Sequence, residues 1–224
     1  ENGRADRATE VSYQDQITQI YNWIKDLQDQ ELLLNYGSDG TNTISGFTQQ
    51  QVGMFIASSA SCRNVIDSST DFEVGVANLP VPEGTEPEGV YGGGGALCVA
   101  TGLDEDVEAG VMEFLTYATS PEVQATWAVS TGYFPICNGA YETETLTSTY
   151  EELPQLQVAA DQLLNSNVNS ITAGPLLSQL PQLRTDLQTA LEAVFNGSDV
   201  ESAVAQAVES TNSAIASANQ GVAE

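Results

Sequence analysis

The chain contains no histidine, and only five of its 224 residues are lysine or arginine, against 31 aspartates and glutamates. Without histidine it lacks the side chain most often used for proton transfer near neutral pH and for holding metals. Its three cysteines, Cys62, Cys98 and Cys137, are too few and too widely spaced for a zinc site or a redox pair. They read as free buried thiols, or as one disulfide plus a leftover thiol if the protein is exported, with the pairing left open. No run of about 18 apolar residues occurs, so nothing in the segment is expected to insert into a membrane. The scarcity of positive charge leaves a formal net charge of −26, which repels nucleic acid and anionic membranes and sets both aside as partners. There is no Gly-x-Ser-x-Gly elbow, phosphate-loop Gly-Lys-Ser/Thr or dinucleotide fingerprint. A hydrolase using paired carboxylates remains as the enzyme alternative, but acids are so abundant that two lying close together signify nothing. No catalytic residue, metal or cofactor is expected.

What the chain does contain is apolar residues at 41%, enough for a sizeable core and too many for a disordered acidic tail. The acids come in ones and twos, which suits a solvating surface, and the balance reads as that of a halophilic protein that relies on salt to screen its self-repulsion. Residue 1 is Glu and no signal peptide is present, so the chain is expected to be processed or to be a piece of something longer. Asn196-Gly197-Ser198 fits a glycosylation sequon and fits a turn equally well.

Residues 1–12 are polar and read as a linker or frayed end. Ile17, Ile20, Tyr21, Ile24 and Leu27 mark an amphipathic helix over about 13–30. A loop is expected at 36–46, a helical turn from Phe47 to Gln51, and a buried strand from Val52 to Ala57. Ser58-Ser59-Ala60-Ser61 then opens a helix. Serines at a helix N-terminus offer either an anion or polar-group site, from free N–H groups and hydroxyls, or ordinary capping. Phe72 to Leu79 reads as a strand. Four glycines, Gly92 to Gly95, precede an apolar strand from Ala96 to Val99. Glycine packs nothing and costs entropy, so this run suits close approach of a ligand or a second segment to the backbone, or a hinge or bulge.

A helix is expected from Asp104 to Ala118, with Val107, Val111, Phe114 and Leu115 on one face. Ser120-Pro121-Glu122 writes the next helix start, with Val123, Trp127 and Val129 as its apolar stripe and Gly132 as its left-handed end. Tyr133 is thereby carried out on a corner pinned by Pro135, either to touch a ligand or to pack at the helix end. Further helices are expected at 156–164, then a long one that residues 173–184 lead into, with Leu183, Leu187, Leu191 and Val194 as its stripe, Arg184 in its first turn and Gly197 as its end. Another is expected from a capping box Ser198-Asp199-Val200-Glu201 onward, and a short extended piece at 170–172. Arg184 is the only cation after residue 63. Near a helix N-terminus a cation opposes the dipole, so a ligand anion or one of the protein's own acids must offset it.

Taken together these pieces resemble the ABC-transporter extracellular solute-binding proteins of the large sugar-binding class, and within it the glycerol-3-phosphate-binding proteins. The family's Ala-Ser-Ser after a strand is matched by Ala57-Ser58-Ser59, and its Gly-Gly before an apolar strand by Gly93-Gly94. Its Pro-Glu, Trp and Thr-Gly-Tyr-Leu-Pro series is matched from Ser120 to Pro135, and its Met-Pro-Gln-Ile-Arg by Leu180 to Arg184. The resemblance runs from about Tyr13 to Asn219 and covers the family's C-terminal half. It implies an α/β fold, a periplasmic-binding-protein-like type II two-lobe clamp, here mostly the C-terminal lobe plus part of the other. Segments 13–92 and 151–219 would form the C-terminal lobe and 95–141 would belong to the N-terminal lobe. The ligand residues it implies are Ser58, Gly94, Tyr133 and Arg184, with Ser59 and Gly93 beside them. Arg184 would neutralise a phosphate, Tyr133 and Ser58 would supply hydroxyls, and Gly94 a backbone donor. The implied function is binding glycerol-3-phosphate or a related phosphorylated glycerol compound; the same architecture could hold a neutral sugar. The partners implied are the solute and the ABC permease and ATPase subunits. The implied location is extracytoplasmic, periplasmic or at the cell surface, with a lipid anchor on an absent N-terminus. The family's N-terminal half is missing, which predicts either a missing upstream segment or very weak affinity.

Overall fold

In the computed structural model, which describes residues 3–220, the helices fall close to where hydrophobic periodicity places them. In order they are α1 (Gln14–Asp29), α2 (Gly40–Thr48), α3 (Cys62–Ser68), α4 (Glu105–Ala118), α5 (Pro121–Thr131), α6 (Glu144–Glu152), α7 (Gln155–Leu164), α8 (Leu180–Phe195) and α9 (Val200–Gln220). Single 3-10 turns occupy Ser59–Ser61 and Asn138–Glu142. Helix α2 begins inside the stretch expected to be a loop, and 171–173 is a turn where an extended piece was expected. None of the described helices is long and apolar enough to cross a membrane.

The chain divides into two compact units, Glu1–Asn42 with Val168–Glu224, and Thr43–Asn167. The first unit is built on α1, α8 and α9. Its core comprises Tyr21, Ala190, Val194, Val200, Ala203, Val204 and Ala207, with Ile17, Ile24 and Leu191 packed against them. Burying a side chain of the size of Val194 or Val204 contributes about 1.5–3 kcal/mol. The cap of α9 is Asp199, whose carboxylate accepts the Ser202 amide at 2.9 Å, so Asp199 with Ser202 replaces the expected box on Ser198. Ser198 instead closes the preceding turn, its N–H donating to the Ala193 carbonyl after the left-handed Gly197. Residues 3–12, which read as a linker, are tied down: Val11 N–H donates to Asn212 at 2.8 Å and Asn219 donates to the Ala8 carbonyl at 2.9 Å.

The second unit has two apolar clusters. One joins Phe47, Val65 and Val74 with Phe55 and Phe72, the Phe47 and Phe72 rings meeting edge-on at 5.4 Å. The other joins Ala125, Ala128, Ala140 and Leu146. On α5 the fully buried residues are the small Ala125 and Ala128; of the expected stripe Val129 packs against their cluster, Val123 is half-buried and Trp127 stands exposed. Alanines let α5 approach the 138–142 turn closely: a methyl placed on Gly139 would lie 3.0 Å from Pro121 Cγ.

Among the described residues no strand ladder forms, so the strands expected at 52–57, 72–79 and 96–99 are not present as such. A strand needs a partner backbone to pair with. Segment 72–79 is held instead by side-chain amides of α7. Leu79 N–H donates to Gln162 Oε1 at 2.9 Å, Gln162 Nε2 donates to the Leu79 carbonyl at 3.3 Å, and Gln155 Nε2 to the Val74 carbonyl at 3.1 Å. Segments 52–57 and 96–99 leave Ile56, Leu97 and Val99 exposed, as α4 leaves Val107 and Phe114. The three cysteines are free, with Cys98 exposed and the Cys62 thiol pushed up in pKa by burial.

Candidate functional site

Tyr133 leaves α5 on a corner built as the sequence implies. Gly132 ends the helix at φ 78°, its N–H donating to the Ala128 carbonyl, and Pro135 is buried behind the turn. Tyr133 N–H donates to Thr131 Oγ1 at 3.2 Å, while that hydroxyl donates to the Trp127 carbonyl at 2.7 Å. The Tyr133 side chain is 49% exposed, and the hollow beside it is walled by Phe134, Leu146 and Tyr150. Burial pushes the Tyr150 phenol up to about 12, with Tyr141 and Asp161 adding to the rise. That wall is therefore neutral over the physiological range. The corner is thus rigid at its backbone and open at its side chain, the geometry wanted of a ligand contact. Ser120, expected to cap α5, holds the capping backbone conformation, but its hydroxyl turns back to donate to the Tyr117 carbonyl at 2.8 Å.

Ser58 lies beside this corner. A methyl on Gly132 would sit 3.4 Å from the Ala60 carbonyl oxygen and 3.4 Å from Arg63 Cβ, so the turn that follows Ser58 packs directly under it. Ser58 is exposed and caps the Ser59–Ser61 turn, its Oγ accepting the Ala60 N–H at 3.4 Å, a long bond that leaves the hydroxyl proton for another acceptor. Ser61 Oγ donates to the Ser58 carbonyl at 2.7 Å and fixes the turn from below. Ser59 is half-buried within it. Arg63 pairs with Asp67 at 2.8 Å.

Gly93 and Gly94 are exposed, with nothing within 4 Å of where a Cβ would sit and neither at positive φ. No packing among the described residues calls for glycine here. Just upstream, the backbone leans on the end of α7, where Val90 N–H donates to Ser166 Oγ at 2.9 Å.

Arg184 belongs to the other compact unit, as the fifth residue of α8, one turn later than the first-turn position the sequence suggests. It is exposed and forms no ion pair among the described residues, although 31 acids are available. Arg4, by contrast, is occupied with the Gly174 and Ala173 carbonyls.

Two residues that sequence reasoning passed over anchor these elements. Gln124 Nε2 donates to the Ala118 carbonyl at 2.7 Å and its Oε1 accepts the Ile136 N–H at 3.2 Å, bracing both sides of the Tyr133 corner. Asp186, one turn from Gln182, accepts the Thr211 hydroxyl at 2.8 Å. Neither bears a motif, since a polar residue on a helix surface looks solvated until its partners are known.

Comparison with known proteins bears on what these parts make. The family described as bacterial extracellular solute-binding protein matches residues 4–157, more than half of the chain. The sn-glycerol-3-phosphate-binding periplasmic protein UgpB of Yersinia pseudotuberculosis serotype I is 38% identical over 128 residues, covering 56% of this chain and 29% of that protein. The protein of the same name from Brucella abortus is 30% identical over 184 residues, covering 82% of this chain and 42% of the relative. Among solved structures, UgpB from Mycobacterium tuberculosis, in complex with glycerophosphocholine, superposes with a TM-score of 0.73 at 20% identity, over 91% of this chain and 49% of that one. That likeness shows the periplasmic-binding-protein-like fold expected from the sequence, and the relatives carry the name of the group it resembles. The chain spans less than half the length of each of these proteins. It belongs to the bacterial extracellular solute-binding protein family.

Proposed function

We propose that this chain is part of the extracytoplasmic solute-binding component of an ABC importer that takes glycerol-3-phosphate or a related phosphorylated glycerol compound. The observation that carries the reading is Arg184, the one cation after residue 63, exposed and unpaired among the described residues of a chain rich in acids. A guanidinium left free in so acidic a protein is suited to a phosphate, which it meets with two parallel hydrogen bonds. Tyr133 and Ser58 supply hydroxyls, with Ser59 adjacent. Gly94, with Gly93, offers a backbone N–H that a phosphate or hydroxyl oxygen approaches closely because no Cβ stands there. Binding, not catalysis, is the role these groups support.

In this reading segments 13–92 and 151–219 belong to the C-terminal lobe and 95–141 to the N-terminal lobe. The exposed Leu97, Val99, Val107 and Phe114 give a surface that further polypeptide of a longer protein would cover. The partners are the ABC permease and ATPase subunits, and the location is extracytoplasmic, with a lipid anchor on an N-terminus beyond this segment. The solute of the Mycobacterium tuberculosis structure favours one refinement, that phosphodiesters of glycerol are accepted as well.

A calorimetric titration of the full-length protein in high salt with glycerol-3-phosphate, glycerophosphocholine, glycerol and maltose tests the reading. The phosphate-bearing compounds are expected to bind and the other two not. Glycerol or maltose binding as tightly as the phosphate compounds would overturn it.

A further inference from the structure

The apolar core that joins α8 to α9 is confined to the C-terminal half of α8. Its α8 members are Ala190 and Val194, with Leu191 and Ala193 beside them, and nothing N-terminal of Ala190 on that helix is buried. Arg184 lies in the half the core does not reach. Leu183 and Leu187 are half-buried there, outside the core cluster, and the side-chain hydrogen bonds that tie this half to α9 centre on Asp186. Thr211 Oγ1 donates to Asp186 Oδ2 at 2.8 Å, Ser210 Oγ donates to Oδ1 at 3.0 Å, and Gln182 Nε2 donates to the same oxygen at 2.8 Å. Thr211 is wholly buried, and Asp186 is half-buried. Tyr21 adds a neighbouring tie, its hydroxyl donating to the Leu187 carbonyl at 2.7 Å.

The choice of a carboxylate needs a reason. Two helices are held together as well or better by apolar side chains, and a half-buried charge with no cation beside it is costly to desolvate. Hydrogen bonds differ from apolar contacts in being directional, so two donors one residue apart on α9 fix both the rotation and the axial position of the α8 turn that carries Asp186. Arg184 sits two residues before it, on the same turn. Asp186 makes no ion pair with Arg184, and its three donors are all neutral, so the clasp holds the helix without consuming the arginine's charge.

We propose that Asp186 is a positioning residue, whose hydrogen bonds to Thr211 and Ser210 set the turn of α8 that presents Arg184 to the ligand phosphate. The proposal rests on Arg184 being the phosphate partner. In the full-length protein, affinity for glycerol-3-phosphate and the melting temperature are measured for Asp186→Ala, Asp186→Asn, Arg184→Ala and the core variant Val204→Ala. Asp186→Ala is expected to weaken binding by about tenfold. Asp186→Asn keeps an acceptor oxygen for Thr211 and is expected to recover most of that loss. Val204→Ala lowers the melting temperature at least as much as Asp186→Ala, yet leaves affinity within about twofold. If Asp186→Ala does not fold, Thr211→Val, which removes the buried donor and keeps the shape, is expected to weaken binding in the same sense. Unchanged affinity in Asp186→Ala or in its Thr211→Val substitute, or an equal loss in Val204→Ala, would overturn the proposal. Arg184→Ala separates the two failures. If it abolishes binding while Asp186→Ala does not, only the positioning role falls. If it is silent, the phosphate reading falls and the positioning role with it.

Discussion

Replacing Gly132 and Gly94 by alanine separates a glycine that the fold requires from one that only a ligand would require. Gly132 sits at φ 78°, and a Cβ there meets Ala60 O and Arg63 Cβ at 3.4 Å, the near edge of ordinary contact. Crowding is therefore slight and the conformation dominates, since a left-handed backbone costs an L-residue roughly 1–2 kcal/mol. Alanine recovers about 0.4–1 kcal/mol by restricting the unfolded chain. The net is a loss of about 1 kcal/mol, or roughly 2–4 °C in a protein of this size. Gly94 has open space and no positive φ, so its alanine variant is expected to be as stable as the parent or slightly more so. Its effect should fall on the ligand, because a methyl group beside the Gly94 N–H keeps a phosphate oxygen from it. An affinity loss of at least about tenfold, or 1.4 kcal/mol, is expected. Thermal unfolding and calorimetric titration of both variants provide the readouts. A Gly132→Ala protein as stable as the parent would refute the account of the corner. A Gly94→Ala protein with full affinity would refute the backbone-donor role and leave the glycine run as a hinge.

Alkaline titration gives a second prediction. The Tyr21 phenol, buried against α8, is pushed up to about 12 by burial, with Tyr13 adding to the rise, while in the unfolded chain it titrates near 10.0. Below pH 10 both states hold the proton; above it the unfolded state ionises first, so stability falls as pH rises from about 10 to 12, by on the order of 2–3 kcal/mol. Urea unfolding across that range checks it, with Tyr21→Phe reducing the dependence and the raised Tyr150 phenol supplying part of what remains; a parent protein whose stability is constant from pH 10 to 12 would contradict it. Salt gives a third. With a net charge of −26 and only two ion pairs among the described residues, both exposed i,i+4 pairs, self-repulsion outweighs what salt bridges return. Raising sodium chloride from 0.1 M to 1 M shortens the screening length from about 10 Å to about 3 Å, so the melting temperature should rise; a fall would count against the halophilic reading.

How far the molecule was legible in its residues depended on whether a signal was local. Helices α1, α4, α5, α8 and α9 were foreseeable because apolar spacing, Pro121 and the glycines at 132 and 197 act within a few residues of themselves. The Tyr133 corner followed from the same local logic. The expected strands were not, because a ladder is a property of two segments. The apolar run at 96–99 says that something should cover it without saying what. The buried face of α5 is hidden from the sequence for a similar reason. Trp127 is the larger apolar residue, but the face that meets the neighbouring turn is that of Ala125 and Ala128, with Val129 beside them. Gln124 and Asp186 carry no local signature at all, since their roles exist only through Ile136, Ser210 and Thr211, far along the chain.

The central claim is that Arg184 is kept free to meet a phosphate. It is tested most directly by titrating glycerol-3-phosphate into the full-length protein and into its Arg184→Ala and Arg184→Lys variants at fixed high salt. Loss of a charge-assisted hydrogen bond costs about 1.5–3 kcal/mol, so alanine should weaken binding by roughly 10- to 100-fold. Lysine keeps the charge but not the two-pronged geometry and should fall between. Affinity unchanged in Arg184→Ala would contradict the account.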